Sequence, residues 1–301
     1  MIILITNYDA MNSNDLKIFE AAATLGSFTK AAEATFTVQS NVTARIKNLE
    51  EEFETELFKR VSRKVVLTEA GETLLKYAKK IGNLLNDAKN DIQNSDQVGG
   101  TVRIGCIETT MALKAPDIIN SFSESYPAVE LEFHSAALST LVHDVLNYKL
   151  DAAFVIAPIN IPELEQVVVR NEKLLIISPS GIHKLDDILN EDPLKIVVFE
   201  KGCVFRSRLE TWLSSKGITR YKSTVLNSIE GIINFVEAGL GISILPEEVI
   251  NSYYSGRNIK TFPVSKELNT MTTLLVYRNE ELHSKALNAF IEQYRESSSL
   301  V

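Results

Sequence analysis

Cysteine is nearly absent. Cys106 and Cys203 are the two in 301 residues, far too few for a disulfide-stapled secreted scaffold. No run approaches the roughly 18 apolar residues that a membrane span needs. The opening MIILITNYDA is apolar only briefly and lacks the basic leader of a signal peptide. These absences point to a cytoplasmic protein with no membrane partner. Met11, followed by NSNDLKIF, reads as the more natural start of the folded part, with residues 1–10 an extension of no structural weight. His134, His143, His183 and His283 show no H-x3-H spacing, so neither a zinc site nor a cofactor is expected. G-x-S-x-G, H-E-x-x-H and a P-loop are missing too, which argues against an enzyme. The glycines of EAGLGIS follow a helix and enter a strand, the reverse of a dinucleotide fingerprint.

Positive charge is also in short supply. The formal net charge is -8, an unpromising figure for a protein that meets a polyanion. The deficit is uneven, however. Residues 11–93 hold twelve Lys/Arg against twelve Asp/Glu, so residues 94–301 carry -7 of it and Asp9 the rest. Within that neutral region KRVSRK, Lys59 to Lys64, puts four basic residues in six. A solvated loop is the simplest reading of such a run. A basic tip aimed at a duplex is the alternative, and the neighbouring pattern favours it.

What is present is ample core material, 45% hydrophobic against 23% charged residues, in a chain long enough for two or three domains. SNDLKIFEAAATLG predicts a helix with Asn14 as N-cap, Leu16, Phe19 and Ala23 on one face, and Gly26 at its end. Ser27 caps a short helix through FTKAAEA. A third helix follows, with Val42, Ile46, Leu49 and Phe53 as its buried stripe. Its other sides show Gln39, Ser40, Thr43 and Lys47, polar and toward the N-terminal half. A recognition helix reads base edges from that end; Gln suits adenine and a Thr methyl suits the thymine methyl. An ordinary amphipathic helix would look the same in isolation.

Val61 and Val65-Val66-Leu67 then read as a small hairpin wing, from which Arg60, Arg63 and Lys64 would reach phosphates or the minor groove. Thr68 caps a long helix over Glu69 to Gln93, too apolar along its length for a small head to cover, which predicts a dimerisation arm. NSDQVGG, Asn94 to Gly100, is a hinge by composition. From residue 101 onward strands alternate with helices, the pattern of a parallel sheet in an α/β domain. Pro158 and Pro162 suggest a crossover between two lobes, one of residues 101–158 and 266–301, the other of 159–265. A ligand is expected in the cleft between them.

From Met11 onward the chain resembles the LysR-type transcriptional regulators. The N-terminal carriers are Phe19, GSFTKAAE, VQSNVTARIKNLE, LFKR and LTEAG; the C-terminal ones are SYPAVELEF, LDAAFVI and EAGLGISILP. The resemblance implies a winged helix-turn-helix over 11–68, a linker helix over 69–93 that pairs two subunits, and a periplasmic-binding-protein-like effector domain over 101–301. It implies double-stranded DNA as a partner, assembly as a homotetramer that bends DNA, a small-molecule effector that changes the assembly, and RNA polymerase as a further partner. The DNA contacts it implies are Ser27, Thr29, Gln39, Ser40, Asn41, Thr43, Arg45, Lys47, Arg60, Arg63 and Lys64. Three positions depart from the family pattern. Thr35 stands where members carry Leu, and Phe36 is expected to take over that core contact. Glu54 replaces a common Gly, at a position that must avoid or tolerate positive φ. Thr43-Ala44-Arg45 replaces the usual SRQ, moving the Arg about 100° around the helix.

In the family the effector lies against the loop and helix start after the first strand of the regulatory domain, here Glu108, Thr109 and Thr110. Opposite are expected Ala136 and Ala137, then Gly202, Cys203 and Val204, and Asn227 with Ser228. Backbone N–H groups and Thr hydroxyls at a helix start suit an anion, while Glu108 would repel one, so neutral, cationic and metal effectors stay open. Cys106 and Cys203 are buried thiols in the simplest reading, and a redox pair or soft metal ligands otherwise. The competing function is a small-molecule-binding or thiol/metal-sensing protein without direct DNA readout.

Overall fold

The computed structural model describes residues 11–61, 64–93, 97–107, 110–111 and 114–298. Two compact units make up the chain, a head that runs to Ser95 and includes Asn147–Lys149, and a body formed by Asp96–Leu146 and the residues from Leu150 onward.

The head holds α1 (Ser13–Leu25), α2 (Phe28–Ala34), α3 (Gln39–Glu52), a hairpin of β1 (Phe58–Val61) and β2 (Lys64–Leu67), and α4 (Glu69–Gln93). The N-cap of α1 is Asn12 rather than Asn14. Its Oδ1 accepts from the N–H groups of Asn14 and Asp15 at 2.9 and 3.1 Å, and Asp15 Oδ2 accepts from the Asn12 N–H in return. That reciprocal capping box satisfies donors the helix itself leaves open. Gly26 ends α1 in the left-handed region at φ +59. Leu16, Phe19, Ala22, Val42, Ile46, Leu49 and Leu57 form the core, which Leu74 and Ala78 of α4 complete. Phe58 anchors the hairpin by packing its ring edge-on to Phe28 and tilted against Phe19, at 5.4 and 5.3 Å between centroids.

Two expectations for this core fail. Phe53 leaves the stripe: α3 ends there and the side chain is exposed. Phe36 does not take over the missing leucine contact, since it sits at φ +51 with 99% exposure. Thr35 closes that end of α2 instead, its hydroxyl donating to the Ala31 carbonyl at 2.7 Å. Glu54 tolerates the left-handed backbone, at φ +50.

The body is a mixed sheet, not the all-parallel one that the alternation predicts. β3 (Gly99–Cys106) pairs parallel with β4 (Ala128–Ser135) and β5 (Ala152–Ile156). Antiparallel pairing follows: β11 (Thr270–Arg278) on β5 and on β6 (Leu164–Pro179), then β6 on β9 (Ser243–Pro246) and β10 (Ile259–Pro263). β7 (Leu194–Val198) and β8 (Tyr221–Val225) pair parallel beside it. Helices α5 (Ala115–Ser125), α6 (Leu138–Leu146) and α11 (Lys285–Ser298) belong to the first lobe, and α7 (Leu185–Leu189), α8 (Val204–Ser215), α9 (Ile229–Glu237) and α10 (Glu247–Tyr253) to the second.

Side chains alternate across the first-lobe sheet. Ile104, Phe154 and Leu275 join Phe122 and Phe290 on one face, while Ala153, Val155 and Leu274 meet Leu141 and Val145 on the other. The second lobe has its own core around Ile176, Ile196, Trp212, Ile233 and Ile244. The outward crossover is not at Pro158–Pro162. It runs inside β6, whose partner changes from β11 to β9 between Lys173 and Leu174. The return runs inside β11: Met271 belongs to the second core and Leu274 to the first. One continuous strand can serve both lobes because its hydrogen bonds pass from one partner to the next without leaving the backbone unpaired.

Candidate functional site

On α3, Val42, Ile46 and Leu49 are buried, while Gln39, Ser40, Thr43 and Lys47 are exposed. The N-terminal half of the helix therefore offers an amide, a hydroxyl and a Thr methyl to the outside. Local bonds order this edge. Thr29 Oγ1 meets Gln39 Oε1 at 3.4 Å, Thr43 Oγ1 donates to the Gln39 carbonyl at 3.0 Å, and Asn41 Nδ2 donates to Thr37 Oγ1 at 2.9 Å. Lys47 pairs with Glu51 at 3.1 Å on an exposed surface, an attachment weak enough to exchange for a phosphate. Ser27 caps α2, its Oγ accepting from the Lys30 N–H at 3.4 Å.

Arg45 is engaged within the head. Its Nη1 lies 3.0 Å from Oδ1 of Asp15, a buried carboxylate in the first turn of α1. The displacement of about 100° around the helix from the family's Arg position accompanies this pairing, which ties α3 to α1. Glu50, unnoticed in the sequence, fixes the wing: its Oε1 accepts from the N–H groups of Leu57 at 2.9 Å and Phe58 at 3.2 Å. The only hint is an acidic residue that directly follows the buried Leu49. The hairpin pairs Phe58 with Leu67 and Val61 with Lys64. Arg63 and the side chains of Arg60 and Lys64 lie outside the described residues.

In the body, a cavity of about 390 Å³ opens between the lobes. Ala136, Ala137, Gly202, Cys203, Val204 and Asn227 line it, as expected. Ile107, Ile156, Phe199, Phe205 and Leu138 give it an apolar wall that the sequence reading missed, and Ser135, Glu200 and Lys201 add polar groups. Asn227 Nδ2 donates to Glu200 Oε1 at 3.0 Å, joining the ends of two strands at the rim. Ser228 is a helix cap, its Oγ accepting from the Gly231 N–H at 3.1 Å. Thr110 is buried and is not among the lining residues, and Glu108 and Thr109 lie outside the described residues.

The two cysteines do not share the cavity wall. Cys106 is buried in the first lobe's core and Cys203 lines the cavity. Burial pushes the Cys203 thiol up, partly offset by the backbone N–H groups of Arg206 and Phe205. A raised pKa keeps it a thiol at neutral pH, the form least suited to attack a peroxide or ligate a metal. Among the described residues no three His, Cys, Asp or Glu side chains cluster as a metal ion would require. Among them, too, no helix is long and apolar enough to cross a membrane.

Residues 13–72 match the bacterial regulatory helix-turn-helix protein, lysR family, and residues 95–299 the LysR substrate binding domain. The HTH-type transcriptional regulator YusT of Bacillus subtilis is 36% identical over 284 residues, 94% of this chain and 95% of the relative. The regulator YofA of Bacillus velezensis is 37% identical over 270 residues, 90% and 93% respectively. Among solved structures, full-length CbnR complexed with its target DNA aligns with a TM-score of 0.67 at 21% identity, over 95% of this chain and 100% of that one. ArgP from Mycobacterium tuberculosis aligns at 0.74 and 17% identity, over 96% and 98%. At these identities the structural likeness establishes the fold.

Proposed function

The chain belongs to the LysR family of DNA-binding transcriptional regulators, with an effector-binding domain following its helix-turn-helix in sequence, and from that premise we propose how its residues divide the work. Gln39, Ser40 and Thr43 read base edges in the major groove, with Thr29 and Asn41 bracing that edge and Lys47 beside it. Arg60, Arg63 and Lys64 hold phosphates from the wing. The observation that carries this is the division of α3 into a buried stripe of Val42, Ile46 and Leu49 and an exposed polar edge at its N-terminal half. An acidic protein can bind DNA in this way because its excess negative charge belongs to the residues that follow the head in sequence, and exposed charges are screened over about 8–10 Å at ordinary ionic strength.

The effector is a compact molecule with a mainly apolar body, suited to the wall of Ile107, Ile156, Phe199 and Phe205, and with a polar group for Ser135, Asn227 or Lys201. Two chains pair through α4, whose Tyr77, Leu84, Leu85 and Ile92 are exposed, Ile92 at 78%, and pairs combine into a tetramer. The reading carries with it a cytoplasmic location, where chromosomal DNA and RNA polymerase are both at hand.

Footprinting on the DNA upstream of its own gene tests the head. Thr43→Ala is expected to cut discrimination between sites by about fourfold, the worth of one buried methyl. Arg63→Ala is expected to weaken all duplexes and reduce the salt slope by about 1. Footprints and slopes unchanged by both substitutions overturn the assignment. Native mass spectrometry of freshly purified protein tests the cavity: Ala137→Trp, which projects an indole from its wall, should lose any small molecule that the wild type retains.

A further inference from the structure

Phe36 stands in the turn between α2 and α3 with its ring in water, at 99% exposure, and Val38 beside it is 64% exposed. The backbone at Phe36 is left-handed, φ +51, a region that bulky side chains avoid and that Asn or Gly would fill at lower cost. The residue therefore bears two local penalties, an unfavourable backbone and a solvated aromatic ring, without a compensating contact in its own head. The turn is nevertheless well held. The Phe36 N–H donates to the Glu33 carbonyl at 3.3 Å, the Thr37 N–H to the Ala32 carbonyl at 2.9 Å, and Asn41 Nδ2 to Thr37 Oγ1. A fixed turn presents the ring on a defined rim, next to the edge that bears Gln39, Ser40 and Thr43.

We propose that Phe36, backed by Val38, is a sequence-reading residue that packs on a thymine methyl group at the border of the site read by α3. The assignment rests on the reading of α3 given above and extends the same interface by continuity. The thymine methyl is the apolar feature that the major groove displays, and Phe is among the side chains that meet it. Phe36 supplies what Gln39 and Ser40 cannot, discrimination by hydrophobic contact at a base pair the polar residues do not reach.

The full-length protein first selects duplexes from a random-sequence pool. Each thymine of the recovered site is then replaced by deoxyuridine, which removes the methyl and nothing else. Wild type is expected to lose about fourfold in affinity at particular thymines, as one buried methyl predicts. Phe36→Asn, which suits the left-handed backbone and removes no buried contact, should bind the parent site more weakly by a similar factor. It should also be indifferent to uracil at those thymines, whereas Thr43→Ala remains sensitive there. An identical uracil profile in wild type and Phe36→Asn overturns this contact alone, and leaves the ring to a protein partner or a second copy. A pool that yields no enriched sequence overturns the reading of α3, and the Phe36 contact with it.

Discussion

Arg45 stands one position from the family's usual Arg and pairs with Asp15 inside the head. Asp15 accepts from the Asn12 N–H and the Arg45 guanidinium, and its side chain is only 10% exposed. Removing a charged partner from a buried carboxylate costs about 1–3 kcal/mol. Arg45→Ala should therefore lower the unfolding free energy from denaturant titration by that much while leaving the salt slope of DNA binding unchanged, the opposite of Arg63→Ala. A lost slope with unchanged stability would return Arg45 to the phosphates. Neither the Asp15 pairing nor the solvated ring of Phe36 was legible in the sequence. Helical periodicity gives a residue's angle but not which neighbour lies across from it, and an aromatic residue beside a missing leucine invites a core placement that the left-handed turn forbids.

At the scale of elements, the start of α4 depends on Gly71. A Cβ there would lie 2.1 Å from the Leu57 carbonyl oxygen and 2.9 Å from Leu67 Cδ2. The backbone of α4 thus lies directly against the wing, and LTEAG is a packing motif as much as a capping one, Thr68 Oγ1 accepting from the Gly71 N–H at 3.1 Å. Gly71→Ala should destabilise the head by about 1–3 kcal/mol, as overpacking does, read by thermal melting of the full chain. Further along, Leu84 and Leu85 remain 39% and 41% exposed. Leu85→Glu should dissociate the dimer in sedimentation velocity without lowering the helical signal. A dimer that survives would move the interface off α4. The element boundaries here were largely readable, because Ser27, Thr68 and Gly26 are local caps. β10 and the short helices α7 and α10 were not, being too brief for periodicity to register.

Across the body, Lys114 at the start of α5 bonds Glu248 of α10, and Arg170 of β6 lies 3.5 Å from the same carboxylate. Lys114 belongs to the first lobe, α10 packs in the second, and β6 passes through both, so the cluster ties the lobes beside their crossover. The hydrogen bond from Lys114, aided by the nearby charges, holds Glu248 below the usual carboxylate range despite partial desolvation. A depressed carboxylate contributes stability that is complete above its unfolded pKa and is lost as pH falls through the folded one. Glu248→Gln should consequently lower the melting temperature at neutral pH, and the gap to wild type should close in acid. The tie is worth about 1 kcal/mol or less, since solvent screens a half-exposed pair. A gap that persists below the carboxylate range would assign its origin to packing.

The sequence alone determined the order of parts: capped helices, hairpin wing, long apolar arm and a body of alternating strands and helices follow from short-range periodicity, caps and glycines, while the division of that body into lobes does not. Gly241 belongs with them, since its φ of +146 and the 2.6 Å approach of a Cβ to the Lys195 carbonyl oxygen explain why EAGLGIS carries a glycine there. Only the tertiary structure decided strand direction, the crossovers inside β6 and β11, the apolar wall of the cavity and the partners of Arg45 and Glu50. Each of these depends on which distant segments meet. Pairing polarity leaves no mark on a strand buried on both faces, and a contact between residues far apart in the chain has no spacing from which to read it.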